Sequence, residues 1–339
     1  MSQTGWRRAS CPRRIADAWG QTLMNWFIWL LVAAGIALVG LYFIFPARLV
    51  ALITGLTRKW GRLSAKSVIV DGVSWPYLEG GPADGDIIVM LHGFGGDKDN
   101  WLLYARYFTK RFRVIVPDLP GFGKNVRNPD WNYGVVAQTE RLRAFLNGLD
   151  VDRYHLAGNS MGGYIALNYA LTHPNQLKTL TLIDNAGVTS KHKSELELAV
   201  EEGTNPLLAS SMDDLDRLLK FIMHKRIPIP RVMLRPMLEI FLRHHDFLDG
   251  IFWTIVKEAL DNGVTDRLGD VAMPTLIIWG RYDRLIDVSC TEVMAAAIPD
   301  NEVVILEDVG HVPMIENPGV TAGHHIDLIV RAESHAAGG

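Results

Sequence analysis

Gly158-Asn159-Ser160-Met161-Gly162 sets a serine between two glycines, each two residues away. G-x-S-x-G is the pattern of a nucleophile elbow, in which a strand turns into a helix so sharply that the serine hydroxyl stands clear of the backbone. The next backbone N–H then faces the place where an oxyanion forms. A side chain at 158 or 162 would run into neighbouring backbone, so glycine suits both positions. The flanks agree. Tyr154 to Ala157 reads as a short strand, and Gly163 to Ala170 has the composition of a buried helix. A serine hydroxyl is a weak nucleophile that needs a base, and the base needs an orienting acid; after an elbow the chain order is serine, acid, histidine.

Spacing selects His311 as the base. It lies in Asp308-Val309-Gly310-His311, just past the β-rich run Val303 to Leu306, so a loop leaving the last strand can carry it over the elbow. His324 and His325 fall in the expected final helix, and His244 and His245 in a helical insert, where a solvated face is the plainer expectation. Asp283 is the expected acid. The run Thr275 to Trp279, bounded by Pro274 and Gly280, reads as a buried strand with Asp283 on the loop at its C-terminal edge. Asp184, ending the earlier strand Leu180 to Ile183, competes with it, and Asp287 reads as a helix cap.

A second oxyanion donor is expected after the early strand Ile87 to Leu91, in His92-Gly93-Phe94-Gly95-Gly96. The N–H groups of Phe94 and Met161 are expected to converge on the developing charge, each contributing about 3 kcal/mol in comparable sites. His92 is expected to brace this loop rather than touch substrate. Asp118-Leu119-Pro120-Gly121-Phe122-Gly123 is expected to shape the pocket wall.

Taken in order, the strand, His-Gly-Phe-Gly-Gly, Asp-x-Pro-Gly-x-Gly, the elbow, Trp-Gly-x-x-Asp and Gly-His resemble the α/β-hydrolase superfamily over about residues 68 to 332. Within that span, His92 to Trp101 is similar to the loop of bacterial lipases and esterases. The stretch Ile277 to Ser289, the insert before it and the apolar N-terminal segment resemble the membrane-bound monoacylglycerol lipases of animals. The resemblance implies an α/β-hydrolase fold, with a mostly parallel central sheet flanked by helices. It also implies serine-ester hydrolysis of acylglycerols or related lipid esters, with no cofactor. Gly-Asn-Ser-Met-Gly-Gly occurs as well in relatives that cleave carbon–carbon bonds of ring-fission products. Those carry a different loop after His-Gly and often a tryptophan after Gly-His, where this chain has Val312. A rival of another class is a non-catalytic protein of this fold that binds lipid. The complete set of Ser160, Asp283, His311 and oxyanion loop weighs against it.

With 339 residues, 48 % hydrophobic and 21 % charged, the chain can bury one large core, and a net charge of −3 gives no reason to expect nucleic acid. No metal-ligand spacing, phosphate-binding glycine fingerprint or internal repeat is present. Trp26 to Phe45 is another matter: twenty residues without a charge. As a helix that run spans about 30 Å, the thickness of a bilayer's hydrocarbon core. A signal peptide would have a shorter apolar run and a small-residue cleavage site, and a soluble core helix would show a polar stripe. The segment is therefore expected to be a single-pass anchor. Arg7, Arg8, Arg13 and Arg14 before it are matched by Arg48, Arg58, Lys59 and Arg62 after it, so charge does not orient it. Cys11 and Cys290 fall on opposite sides and are not expected to pair.

After Pro46, Leu49, Leu52, Ile53, Leu56, Trp60 and Leu63 recur at helical spacing, with Arg58, Lys59, Arg62 and Lys66 between them and no acid before Val70. Such a segment suits the headgroup plane, cations toward anionic lipid, or else packs on the catalytic domain. About ninety residues separate Asp184 from Thr275, more than one crossover helix needs, so the excess is expected to form a helical cap. Pro228, Pro230 and Pro236 are expected to break it into short pieces. Its Met and aromatic residues run from Met223 and Met233 through Met237, Phe241, Phe247 and Phe252 to Trp253. Lys220, Lys225, Arg226, Arg231, Arg235 and Arg243 are expected to give it a basic rim. The expected organisation is an N-terminal tail (1–25), transmembrane helix (26–45), amphipathic juxtamembrane segment (46–66), hydrolase core (67–187 and 270–332), cap (188–269) and C-terminal tail (333–339).

Overall fold

The computed structural model describes residues 13–338. Arg7, Arg8 and Cys11 lie outside the described residues. Helices α1 (Arg13–Ile44) and α2 (Pro46–Trp60) come first. Strands β1 (Leu63–Val70) and β2 (Val73–Gly80) then form a hairpin around Asp71-Gly72, both at positive φ, the geometry an Asp-Gly turn favours. Next come β3 (Ile87–Leu91), the short α3 (Leu102–Ala105), β4 (Arg113–Pro117), α4 (Val135–Asn147), β5 (Tyr154–Asn159), α5 (Met161–Thr172) and β6 (Leu177–Ile183). A cap of four helices follows: α6 (Glu195–Glu201), α7 (Met212–Ile222), α8 (Arg231–Arg243) and α9 (His245–Asn262). The chain returns through β7 (Thr275–Gly280), α10 (Cys290–Ala297), β8 (Asn301–Leu306), α11 (Pro313–Glu316) and α12 (Pro318–Gly338).

All eight strands form one sheet in the order β1-β2-β4-β3-β5-β6-β7-β8. Only β2 runs against its neighbours; every other pairing is parallel. A parallel sheet is covered on both faces, and β5 and β7 are accordingly buried along their whole length. The loops leaving the C-terminal ends of β3, β5, β6, β7 and β8 share one rim, where ligands of such sheets bind.

Several expectations change. The juxtamembrane helix stops at Trp60, because Gly61 caps it and Arg62 takes a positive φ; Leu63 and Lys66 belong to β1, and Lys66 pairs with Glu79. Leu52, Ile53, Leu56 and Trp60 do stand exposed on one side of α2, while Leu49 is buried. Arg58, however, points at the domain and forks onto Asp99 at 2.7 and 2.5 Å. Residues 333–338 are no loose tail but the last turns of α12, whose alanines favour helix, and Glu333 pairs with Arg111. Pro236 lies inside α8 instead of breaking it. The stretch Gln21–Ile44 of α1 is long and apolar enough to cross a membrane, with a mean hydropathy of 2.5 and no burial in its most apolar window.

His325 is fully buried rather than solvated, with Tyr104 Oη 2.8 Å from its Nδ1. Burial holds its imidazole down at about 3, and that of the nearby buried His155 at about 4. The unfolded chain takes up these protons near pH 6.5 whereas the folded one does not, so this stability is present above that pH and is lost as pH falls toward 4. Between pH 7 and pH 5 the two together should cost on the order of 4 kcal/mol. Asp97, pushed up to about 6 by burial, and the buried Asp184 act in the opposite sense, so the check is a comparison. The pH 7 to pH 5 shift in thermal midpoint should differ between the parent and a His155→Gln, His325→Gln double variant, and an identical shift contradicts it.

Candidate active site

Ser160 stands between β5 and α5 with φ 56° and ψ −121°. Such a backbone costs roughly 1–3 kcal/mol and persists only where its surroundings fix it. Here three main-chain bonds do so: Ser160 N–H to Ile183 O (3.1 Å), and Tyr164 N–H (3.0 Å) and Ala186 N–H (3.1 Å) to Ser160 O. The flanking glycines are sterically required. A Cβ on Gly158 would lie 2.2 Å from Gly162 O, and one on Gly162 would lie 2.3 Å from Leu91 O and 2.5 Å from His92 O.

Asp283 and His311, on loops after β7 and β8, come together. Asp283 Oδ1 accepts N–H bonds from Leu285 (2.8 Å) and Ile286 (3.1 Å), which aims Oδ2 at His311 Nδ1, 2.7 Å away. That contact puts the ring proton on Nδ1 and leaves Nε2 basic. His311 Nε2 is buried without a hydrogen-bond partner among the described residues, and the ring lines the same cavity as Ser160. No hydrogen bond joins Ser160 Oγ to this nitrogen. Asp287 does not cap α10, which starts at Cys290 behind Ser289 with no side-chain cap bond; its Oδ1 accepts from Ser289 N–H (2.9 Å) in the turn ahead of the helix.

Phe94 lines this cavity too, and Met161 is buried as the first residue of α5. Gly93 lets the two loops approach, since a Cβ there would lie 3.1 Å from Ser160 Cβ. His92 braces as expected. Its Nε2 accepts from Leu119 N–H (3.0 Å), so its Nδ1 donates to Gly93 O (2.8 Å), and burial lowers its pKa so that it stays neutral. The turn from Asp118 to Gly123 does not line the cavity. Asp118 is fully buried and accepts from Lys98 Nζ (2.7 Å), Lys98 N–H (2.9 Å) and Lys124 N–H (2.9 Å), because a buried carboxylate must be paired. It ties down the segment that follows the loop after β3, and Phe122 stands edge-on to Phe94 at 5.5 Å.

Sequence reasoning passed over Asn159. Its amide donates to Ile183 O (3.1 Å) and to His311 O (3.0 Å), so the elbow holds the histidine loop directly. His311 N–H also donates to Ile222 O (2.8 Å) at the end of α7, which ties that loop to the cap. The only local signal for Asn159 was its place within the elbow pentapeptide.

Leu218, Leu219 and Ile222 from α7, with Met237 and Phe241 from α8, roof the cavity. Flexible methionine and aromatic surfaces of this kind accommodate apolar ligands of varied shape. Phe247 and Phe252 face elsewhere, edge-on to Tyr133 (5.2 Å) and Phe94 (5.8 Å). The basic rim is partly neutralised: Arg226 and Arg231 both reach Asp216, Arg231 also reaches Asp213, and Lys225 reaches Asp308. Those acids sit on α7 and on the loop after β8, out of sequence range of the bases.

Residues 86–219 and 242–318 match the model of a family described as having the alpha/beta hydrolase fold. A monoacylglycerol lipase of Xenopus laevis is 30 % identical over 320 residues, covering 90 % of this chain and 95 % of the relative. Lipase 1 of Psychrobacter immobilis is 34 % identical over 269 residues, 78 % of this chain and 83 % of its own. Among solved structures, a bacterial membrane phospholipase A shares 39 % identity with a TM-score of 0.83, over 91 % of this chain and 99 % of that one.

Proposed function

This chain belongs to the α/β-hydrolase family, as a hydrolase of the lipase and esterase type, and we propose that it is a membrane-anchored serine hydrolase of glycerolipid esters. Ser160 Oγ attacks the ester carbonyl while His311 Nε2 takes its proton, and Asp283 holds the imidazole in the tautomer this requires. The N–H groups of Phe94 and Met161 stabilise the tetrahedral oxyanion. Collapse of that intermediate expels the alcohol, protonated by His311, and leaves Ser160 acylated; water activated by His311 then releases the fatty acid and restores the serine.

One observation carries this proposal: the 2.7 Å contact of His311 Nδ1 with Asp283 frees Nε2 in the cavity that Ser160 lines. The substrate class is supported by the apolar roof and by relatives named for monoacylglycerol, lipid and phospholipid hydrolysis. The anchor is supported by the exposed apolar length of α1 and the exposed apolar side of α2.

A single preparation tests all three parts. The full chain should stay in carbonate-washed membranes, label with a fluorophosphonate at Ser160 and hydrolyse long-chain monoacylglycerol or phosphatidylcholine in detergent. Release by carbonate removes the anchor. Lack of labelling makes the protein a binding module, and turnover of a ring-fission dienoate but no ester makes it a carbon–carbon bond hydrolase.

A further inference from the structure

Asp184 is fully buried at the end of β6, at φ 44°. Its Oδ1 accepts Gly280 N–H at 2.9 Å, but its Oδ2 has no donor among the described residues. Carboxylate oxygens of Asp184 and Asp283 and a ring nitrogen of His311 all lie within 4.8 Å of one another. An ionised Asp184 would therefore bury an unpaired charge beside a second carboxylate, an arrangement avoided by keeping the proton. Asp283, for its part, has two N–H donors on Oδ1 and the imidazole on Oδ2, and a carboxylate has room for a fourth.

On the reading that Asp283 serves His311, we infer that Asp184 is a positioning residue, a neutral carboxylic acid whose Oδ2–H donates to the Asp283 carboxylate. The charged groups that act on Asp184 support this. Burial first, then the acidic Asp283 on the loop after β7 and Glu316 on α11, raise its pKa well above the ordinary carboxylate range against the opposing Gly280 N–H bond. The extra donor adds a further bond to the Asp283 carboxylate that orients the imidazole. It also keeps a second negative charge away from His311.

Asparagine reproduces the neutral acid atom for atom, since its Oδ1 can accept from Gly280 N–H and its Nδ2–H can donate to Asp283. On a water-soluble p-nitrophenyl ester, Asp184→Asn should keep kcat within about threefold of the parent and leave the acidic limb of the kcat/KM profile in place. Asp184→Leu fills a similar volume without a donor and should lower kcat by roughly tenfold or more at nearly unchanged KM. If Asp184 is ionised instead, Asp184→Asn removes a negative charge beside the imidazole and moves the acidic limb to lower pH. That shift overturns the proposal, as does a Leu variant with the parent kcat. Should the Leu variant fail to fold, the limb of the Asn variant still decides. Parent activity and Ser160 labelling, measured alongside, separate failure of this proposal from failure of the catalytic one.

Discussion

Ser160→Ala should lower kcat on a soluble ester by at least about a thousandfold while leaving the fold unchanged. The size follows from the role. Without Oγ no acyl-enzyme forms, and what remains comes from the oxyanion donors and binding alone. Preservation of the fold follows from the bonds that hold the elbow, which run through Ser160 N–H and C=O rather than its side chain. Alanine has no better claim than serine to φ 56° and no worse, so the strain is the same in both. Kinetics beside a thermal melt make the measurement. Retained turnover would end the nucleophile assignment, and a large loss of stability would make the kinetic loss uninterpretable as chemistry.

Gly162→Ala should be nearly as damaging, by a different route. The new Cβ would sit 2.3 Å from Leu91 O and 2.5 Å from His92 O, both backbone atoms at the point where β3 enters the oxyanion loop. Neither can rotate aside. Relief has to come from moving α5 away from that loop, which separates the N–H groups of Met161 and Phe94. Overpacking of this kind costs about 1–3 kcal/mol or more in stability, and loss of one oxyanion donor costs about 100- to 1,000-fold in kcat. Gly250→Ala is the control. It lies in α9 with nothing within 4 Å of the new Cβ, so it should be neutral or stabilising by up to about 1 kcal/mol. Equal melting points and equal kcat for the two variants would remove the steric account of the elbow.

Much of the site was legible because its signals are local. The elbow's glycines, the serine between them and the strand and helix on either side are neighbours in sequence, and backbone sterics within a few residues dictate them. His92 as a brace was readable in part for the same reason, since its Nδ1 bonds Gly93 O next to it, although its Nε2 bond reaches Leu119. The hairpin at Asp71-Gly72 was equally local, yet Leu63 happened to fit the helical spacing of α2 and hid the start of β1. His325 fell on a helix that looked solvated until α12 packed beside Tyr104.

Neighbouring residues were enough to show the elbow, the chain order of its expected partners and an apolar helix long enough to cross a bilayer, because turn sterics and run length are properties of adjacent residues. Which of two acids meets the imidazole, and that the other is buried within 4.8 Å of both, came only from the tertiary structure. It also decided which cap side chains face the serine and which cations are already paired. Those outcomes depend on how β6, β7, β8 and the cap helices stack across loops of up to about ninety residues, and no pattern of neighbouring residues encodes such a placement.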